Sequence, residues 1–341
     1  MSKIIYLLGA GASYGERTKD ANGKPISGRI ERGLPVVNEL EAAIDHLCTK
    51  IGPDHMTLSE TPQYPKLFEE LTWLRDKCKE YPTIDTYAKK LSITMQDKEM
   101  TRLKNALAAY FSLEQQREKR DLRYDGFAAA LIQEGGNLPD NVSILSWNYD
   151  CQMEFVLNDF ALEPMPITRL WLNNNIGGKG VLTPQQFDHS VCYKLNGTAL
   201  FSAVYDHRNL VDAENYTYEK LNTILTENSG KWQSNISFAW EEDEKVMETI
   251  EKVVSDAEVL VIIGYSFPFV NRKIDKTIIN GMASLRHIYI QDKFAEDVKQ
   301  SIEAVLNEKQ EQDLHDKIVR IMERILIQVK MKQVIFLIFI K

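Results

Sequence analysis

Short apolar segments alternate with longer helical patterns along most of this chain. Five apolar runs have the length and composition of buried strands: 3–8, 142–147, 192–195, 259–263 and 288–290. Apolar residues recur at helical spacing in the stretches between them: 36–47, 66–133, 241–256, 271–283 and 294–328. Strands that alternate with helices predict an α/β fold with a Rossmann-like, doubly wound parallel sheet.

Two polar segments interrupt this alternation. Residues 15–33 contain four glycines and one proline, and they predict a mobile loop that orders over a bound ligand. Residues 52–65 contain three prolines and predict a linker into an all-helical insertion. The chain is therefore expected to be one domain. Its predicted core comprises residues 1–50 and 136–295. The predicted helical insertion is 51–135, and a C-terminal helix with a tail is predicted at 296–341.

Composition narrows the class of protein. Hydrophobic residues are 44% and charged residues 26% of 341, as in ordinary soluble proteins, and the net charge of −8 gives no overall attraction to nucleic acid or to an anionic membrane. The four cysteines occur singly, which predicts neither a zinc ribbon nor a disulfide framework. The apolar runs at both ends are too short for a signal peptide or a membrane span, so we expect a cytoplasmic protein.

A glycine motif follows the first predicted strand. Gly9-Ala10-Gly11-Ala12-Ser13 lies where that strand ends, and glycines there let the backbone approach a pyrophosphate. The third glycine of the usual dinucleotide fingerprint is not at its spacing, since position 14 is Tyr. The alternative is a tight turn between strand and helix that binds no ligand.

An asparagine and an aspartate follow the second predicted strand. Asn148 and Asp150 follow the apolar residues 142–145 and lie at the carboxyl end of this predicted strand. Open α/β sheets bind ligands at the carboxyl ends of their strands. Two residues that are two positions apart in an extended segment point the same way. The alternative is that Asn148 caps a turn and Asp150 caps the next helix.

The remaining predicted strands also end in glycine turns or polar residues. These endings are KLNGT at 194–198, GYSF at 264–267 and QD at 291–292. Each has an alternative interpretation as ordinary turn chemistry. Because all of the endings lie at the same edge of a parallel sheet, we expect Gly11, Asn148, Asn196 and Gly264 to line one pocket.

Six motifs, taken in order, resemble the SIR2-like proteins of prokaryotes, which are relatives of the sirtuins. They are GAGAS (9–13), GLP (33–35), SWNYD (146–150), KLNGT (194–198), GYSF (264–267) and IYIQD (288–292). The resemblance implies a sheet that binds NAD⁺ and an active site that cleaves the nicotinamide–ribose bond. Many bacterial proteins of this kind are NAD⁺-depleting effectors of anti-phage defence, held inactive until infection is sensed.

The resemblance also assigns roles to individual residues. Asn148, Asp150 and Asn196 correspond to the catalytic positions of the family, with Asn148 contacting the nicotinamide-side ribose and a water. The remaining assigned residues are expected to bind the pyrophosphate and adenosine side of NAD⁺: Gly9, Ala10, Gly11, Ser13, Gly197, Gly264, Ser266 and Asp292.

Two departures from the family affect the predicted reaction. The sirtuin zinc module is absent, which argues against a protein deacylase. The family's catalytic His, in a KLHGS-type motif, is Asn196 here, and a neutral amide cannot accept a proton as imidazole does. His189 and His207 lie nearby in sequence as alternative bases. Nicotinamide leaves as a neutral molecule from a cationic substrate, so hydrolysis tolerates the loss of a general base better than deacylation does.

Three functions follow in order of preference. The first is an NAD⁺ glycohydrolase that depletes NAD⁺ in anti-phage defence and is activated by oligomerisation or a sensor partner. The second is a catalytically inactive subunit that binds NAD⁺ or ADP-ribose and regulates a defence complex, which Asn196 favours. The third is a deacylase.

Overall fold

The computed structural model describes residues 2–53, 61–134, 138–161, 176–177, 192–204, 206–211, 215–227, 230–241, 244–314 and 316–321. The strands, in chain order from β1 to β12, are Lys3–Leu8, Glu16–Lys19, Pro25–Arg32, Val142–Ser146, Ile176–Gly177, Cys192–Lys194, Gly197–Ala203, Asp206–Leu210, Trp232–Ile236, Ala257–Ile263, His287–Gln291 and Ile318–Ile321. The helices described, α1 to α11, are Leu40–Ile51, Pro65–Glu80, Ile84–Ile93, Asp97–Glu114, Arg123–Leu131, Gln152–Asp159, Tyr218–Thr226, Glu244–Val254, Arg272–Gly281, Ala295–Glu303 and Glu308–Leu314.

A seven-stranded sheet forms the centre of the protein. Its order is β12-β11-β10-β1-β4-β6-β5, and every neighbouring pair is parallel. From β1, the strands β4 and β6 follow on one side of the sheet. Strand β10 then pairs with the other side of β1, and β11 and β12 lie beyond it. This arrangement confirms the predicted Rossmann-like α/β fold, and it places a topological switch point between β1 and β10.

The alternation of side chains along β1 divides the protein into two hydrophobic cores. Ile4, Tyr6 and Leu8 face the core formed with α1 to α5, whereas Ile5 and Leu7 face the core formed with the C-terminal helices. All six residues of β1 are apolar except the first, and the last five are buried. A strand covered on both faces needs such a continuous apolar run, which explains why β1 and β10 lie at the centre.

The helical insertion is present where the apolar periodicity predicts it. Helices α2 to α5 cover most of 65–131 and pack on the same side of the central sheet. A second, antiparallel sheet of order β8-β7-β9 lies beside them, which the pattern of apolar runs does not predict. Helix α4 packs against β7 and β9, so the insertion and the small sheet form one wall above the carboxyl ends of the parallel strands.

The segment 15–33 is a β-hairpin rather than the irregular loop that the sequence predicts. Strands β2 and β3 pair in antiparallel fashion, and Gly28 lies against the backbone of α1 at Ala42. The Arg17 guanidinium is buried, and it forms an ion pair with Glu39 at 2.6 Å. Alternating polar and apolar residues in 25–32 fit a half-exposed strand, a pattern that the high glycine content obscured. Whether this hairpin orders further over a ligand stays a prediction.

The predicted helical stretch 294–328 is also corrected by the structure. It contains α10 and α11, and residues 318–321 then form β12, the edge strand of the central sheet. Three of the four residues of β12, Ile318, Val319 and Ile321, are β-branched, and β-branched residues favour a strand over a continued helix. The apolar segment 334–340 lies outside the described residues. Among the residues that the structure describes, no helix is both long and apolar enough to cross a membrane.

Candidate functional site

A cleft opens at the carboxyl ends of β1, β4, β6 and β10. Its open space, including the solvent mouth, is about 970 Å³. The residues that line it come from the strand ends and from the wall above them: Ala10, Ser13, Leu34, Pro35, Val36, Val37, Leu40, Ile84, Asp85, Leu107, Phe111, Trp147, Asn148, Tyr149, Asp150, Asn196, Phe238, Ala239, Trp240, Gly264, Tyr265, Ser266, Pro268 and Asn271.

The glycines after β1 and β10 allow two loops to touch. Gly264 has φ +60°, and a Cβ there would lie 2.2 Å from the Ala12 nitrogen and 2.3 Å from the Gly11 carbonyl carbon. The amide of Gly11 donates to the Gly264 carbonyl at 2.9 Å, and that of Gly9 donates to the Ile263 carbonyl at 3.0 Å. These contacts explain both glycine motifs by backbone packing, and the two amides are already paired within the protein.

Asn148 is held in one orientation at the floor of the cleft. Its Nδ2 donates to the Gly9 carbonyl at 2.9 Å and to the Ser13 Oγ at 3.0 Å. The Gly9 carbonyl can only accept, so Nδ2 must face it and Oδ1 must point the other way. Within the described residues, Oδ1 has no hydrogen-bond partner. A fixed acceptor of this kind suits a ligand hydroxyl or a water.

Ser13 and Asp150 complete the hydrogen-bond network of Asn148. The Ser13 Oγ donates to Asp150 Oδ2 at 2.9 Å, so the Tyr124 hydroxyl, at 3.0 Å, donates to Ser13 in turn. Burial raises the pKa of Tyr124, which keeps its phenol protonated for this role. The second oxygen of Asp150 accepts the Gln152 amide at 3.0 Å, at the beginning of α6. Asp150 thus holds Ser13 in place at the floor of the cleft and also accepts a hydrogen bond from the first residue of α6.

A buried ion pair lies beneath the same loop. Lys194 Nζ donates to the Asp150 carbonyl and lies 3.4 Å from Glu154, with only 2% and 0% of the two side chains exposed. Burial lowers the pKa of Lys194, but the charges of Glu154 and Asp150 outweigh it and raise the pKa. Lys194 therefore remains charged and fastens the end of β6 to the loop that follows β4.

Asn196 lies where the loop between β6 and β7 meets the cleft. Its Nδ2 donates to the Trp147 carbonyl at 3.3 Å, whereas its buried Oδ1 has no hydrogen-bond partner in the described part of the chain. An unpartnered buried acceptor costs free energy, and that cost is recovered when a ligand donates to it. The side chain can therefore orient a hydroxyl group, although it cannot accept a full proton.

An aromatic stack forms the side of the cleft next to β10. The rings of Trp147 and Tyr265 are 5.7 Å apart and stacked, and the Tyr265 hydroxyl donates to both carboxyl oxygens of Asp275 at 2.9 and 3.0 Å. Burial raises the pKa of Asp275 to about 8. Phe267, two residues beyond Tyr265, has φ +55°, which is unusual for a non-glycine residue and marks a tightly constrained turn.

One ionisable residue of the cleft, Asp85, has no recognisable signal in the sequence. Asp85 lies in the first turn of α3, in the helical insertion, and it lines the cleft among apolar and aromatic side chains. Burial alone raises its pKa to about 6. No local motif surrounds it, since Ile84-Asp85-Thr86 is an ordinary helix beginning. Only the packing of α3 over the strand ends brings it to the site.

The structure brings most, but not all, of the predicted residues together. Ala10, Ser13, Asn148, Asp150, Asn196, Gly264 and Ser266 line one cleft. Gly9 and Gly11 lie directly behind it against Gly264. Gly197 begins β7 with φ +67°, against the Asn235 carbonyl, and does not line the cleft.

The other predicted positions either do not line the cleft or lie outside the residues that the structure describes. Asp292 does not line the cleft; its Oδ1 accepts the Phe294 amide at 2.7 Å, next to the beginning of α10. His189 lies outside the described residues, and of His207 only the backbone, in β8, is described. Among the described residues, no group of three or more His, Cys, Asp or Glu side chains has the arrangement of a metal site.

These features define a Rossmann-like α/β protein with a ligand cleft at the switch point of its sheet. No family model matches the chain, and no curated protein matches it. Among solved structures, it is similar to a Sir2 variant with a deacetylated p53 peptide and 3′-O-acetyl ADP-ribose: 12% identity, 91% of this chain and 92% of that chain covered, TM-score 0.35. A structure titled "The Structural basis of Sirtuin Substrate Affinity" is 12% identical, with 89% and 93% covered and TM-score 0.32.

Proposed function

We propose that this chain is a SIR2-like NAD⁺ hydrolase that converts NAD⁺ and water to nicotinamide, ADP-ribose and a proton. The observation that supports it most directly is the network joining Gly9, Ser13, Asn148 and Asp150 at the floor of the cleft. These four residues belong to the GAGAS and SWNYD motifs on which the family resemblance rests, and they meet in space although about 140 positions separate them.

The proposed reaction breaks the bond between the nicotinamide nitrogen and the ribose C1′. The bonding electron pair goes to the ring nitrogen, which makes nicotinamide neutral and leaves positive charge on the ribose. Water then adds to C1′ and releases a proton to solvent. Asn148 Oδ1 and Asn196 Oδ1 are the free acceptors that orient the ribose hydroxyls and the water, and such fixed dipoles stabilise developing charge without reorganising.

In the cell, we place this activity in a bacterial anti-phage defence system, where it depletes NAD⁺. The family resemblance supports this role, and the amide of Asn196 in place of an imidazole argues against a deacylase. We further propose a cytoplasmic location and activation by oligomerisation or by a sensor protein of the same system. No contact with nucleic acid or membrane is part of the proposal.

A second function is supported by Asn196 itself. An amide in place of the family's imidazole, with its Oδ1 unpartnered, fits a subunit that binds NAD⁺ or ADP-ribose without turnover and regulates a defence complex. The same cleft serves both proposals. They differ only in whether NAD⁺ is consumed.

The test measures NAD⁺ consumption with the products of the neighbouring genes present. Asn148→Ala removes an oriented contact and is expected to lower the rate about 10²–10³-fold. Asn141→Ala is the matched control, because Asn141 donates to the Ser2 carbonyl at the other end of the sheet. Asn196→Ala should cost less, and Asn196→His should keep or raise turnover. A wild-type chain that binds ADP-ribose but never consumes NAD⁺ would establish the binding subunit instead.

A further inference from the structure

The wall that the helical insertion contributes to the cleft is mostly apolar. Ile84, Leu107 and Phe111 line it from α3 and α4, and Phe238 and Trp240 lie beyond β9, with their rings stacked at 5.0 Å. Flat rings and aliphatic side chains suit an aromatic ligand group rather than a diphosphate.

Asp85 is an ionisable residue that lines the cleft from this wall. Within the described residues it makes no hydrogen bond and no ion pair, whereas both oxygens of Asp150 accept hydrogen bonds. Its charge reaches the nearby phenols: burial is the main reason that the pKa of Tyr149 is raised, and Asp85 adds to it. A partly buried, unpaired carboxylate destabilises a fold unless a ligand compensates it.

The distribution of charge in the cleft indicates which part of a ligand Asp85 can face. If the diphosphate of NAD⁺ lies against the turn 9–13, as the family resemblance implies, Asp85 in the insertion wall faces another part of the ligand. The nicotinamide ring bears the positive charge of NAD⁺. We propose that Asp85 binds this cationic ring against the aromatic wall, and so selects the oxidised, charged form of the nucleotide. This inference rests on the proposed function.

The experiment compares ligands that differ chiefly in the nicotinamide ring, and comparing the variant with the wild type cancels the one-atom change in the sugar of carba-NAD⁺. Binding at pH 7.5 is measured by calorimetry for carba-NAD⁺, whose nicotinamide bond cannot be hydrolysed, for NADH, whose ring is neutral, and for ADP-ribose, which lacks the ring. The wild type is expected to prefer carba-NAD⁺ over NADH by about tenfold. Asp85→Asn should reduce that preference to about twofold or less and leave ADP-ribose affinity unchanged.

The control is Asp97→Asn, an exposed acid in the first turn of α4, which should bind all three ligands as the wild type does. Thermal unfolding is measured in parallel. If Asp85 serves the ligand, Asp85→Asn melts at the same or a higher temperature. A lower melting temperature, with equal losses for all three ligands, would assign Asp85 to helix structure and overturn the inference.

Failure of the inference and failure of the proposed function give different results. If the wild type binds neither ADP-ribose nor carba-NAD⁺, the proposed function fails and this inference fails with it. If the wild type binds both, and Asp85→Asn keeps the preference for the charged ring, the assignment of Asp85 is wrong while the NAD⁺ cleft stands.

Discussion

The two sides of the cleft satisfy their polar groups in opposite ways. On the side of the parallel strands, the amides of Gly9 and Gly11 donate to carbonyls at the end of β10 and just after it. Asn148, Ser13 and Asp150 hydrogen-bond to one another. On the side of the helical insertion, Asp85 lines the cleft and has no partner among the residues that the structure describes. The first side leaves the neutral amide oxygens of Asn148 and Asn196 for a ligand, whereas the second leaves a charged carboxylate, which is the more costly group until a ligand is present.

Two carboxyl groups, one buried and one partly buried, show the same contrast. Asp275 accepts the Tyr265 hydroxyl on both oxygens, and burial raises its pKa to about 8, so it stays largely protonated at neutral pH and serves structure. Burial raises the pKa of Asp85 only to about 6, so it is ionised at neutral pH and negatively charged in the cleft. Substitutions on the strand side should therefore cost stability, and those on the insertion side should cost ligand selectivity.

The largest expected effect comes from the contact between Gly264 and Gly11. Gly264→Ala places a Cβ 2.2 Å from the Ala12 nitrogen at φ +60°, and two backbones cannot both move aside in a close-packed junction. We expect the free energy of unfolding to fall by at least about 3 kcal/mol, measured by urea denaturation.

Gly126 provides the matched control for this change. It lies exposed inside α5, and nothing lies within 4 Å of a Cβ there, so Gly126→Ala should raise stability by about 0.5–1 kcal/mol. If Gly264→Ala were as stable as the wild type, the strand side would not be the tightly packed half of the comparison.

Asp275 gives an effect of intermediate size that depends on pH. Its folded pKa of about 8 lies above the ordinary 3.8, so the folded protein holds a proton that the unfolded chain releases. Stability must then fall as pH rises between about 4 and 8. From pH 5 to pH 7 this group should account for about 2–3 kcal/mol of that fall, and Asp275→Asn should remove it.

The measurement is the difference in unfolding free energy between the wild type and Asp275→Asn at several pH values. Other groups contribute equally to both proteins and cancel. A difference that does not change between pH 5 and pH 7 would show that Asp275 is ionised in the folded state, and the contrast with Asp85 would disappear.

The strand side of the cleft was largely predictable from the sequence, for a physical reason. A buried parallel strand is a local apolar run, and the turn after it is local too, so Gly11, Asn148, Asn196 and Gly264 could be assigned to one edge of a sheet. The family resemblance added their expected roles. What the motifs did not reveal is that Gly9 and Gly11 pack against β10, because that contact joins residues about 255 positions apart.

The insertion side was not predictable in the same way. Periodicity gave the helices of 66–133, but no periodicity states which helix lies over the strand ends. Asp85 occupies a position where an acid is ordinary in any helix, and only tertiary packing removes it from water. The hairpin at 15–33 and strand β12 were missed because glycines and short β-branched runs permit more than one local structure.

The smallest effect concerns the beginning of α3, which positions Asp85. The Thr83 side chain accepts the Thr86 amide at 3.1 Å, so Thr83→Ala should cost about 1 kcal/mol of stability. Thr217→Ala is the matched control: Thr217 accepts the Lys220 amide at 3.1 Å at the beginning of α7, which does not line the cleft. Both variants should lose similar stability in urea denaturation. Only Thr83→Ala should also weaken the preference for carba-NAD⁺ over NADH, by about two- to threefold, since a loosened helix end lets the carboxylate of Asp85 drift from the ring. Equal ligand preference in the two variants would mean that α3 does not hold Asp85 in place through its cap.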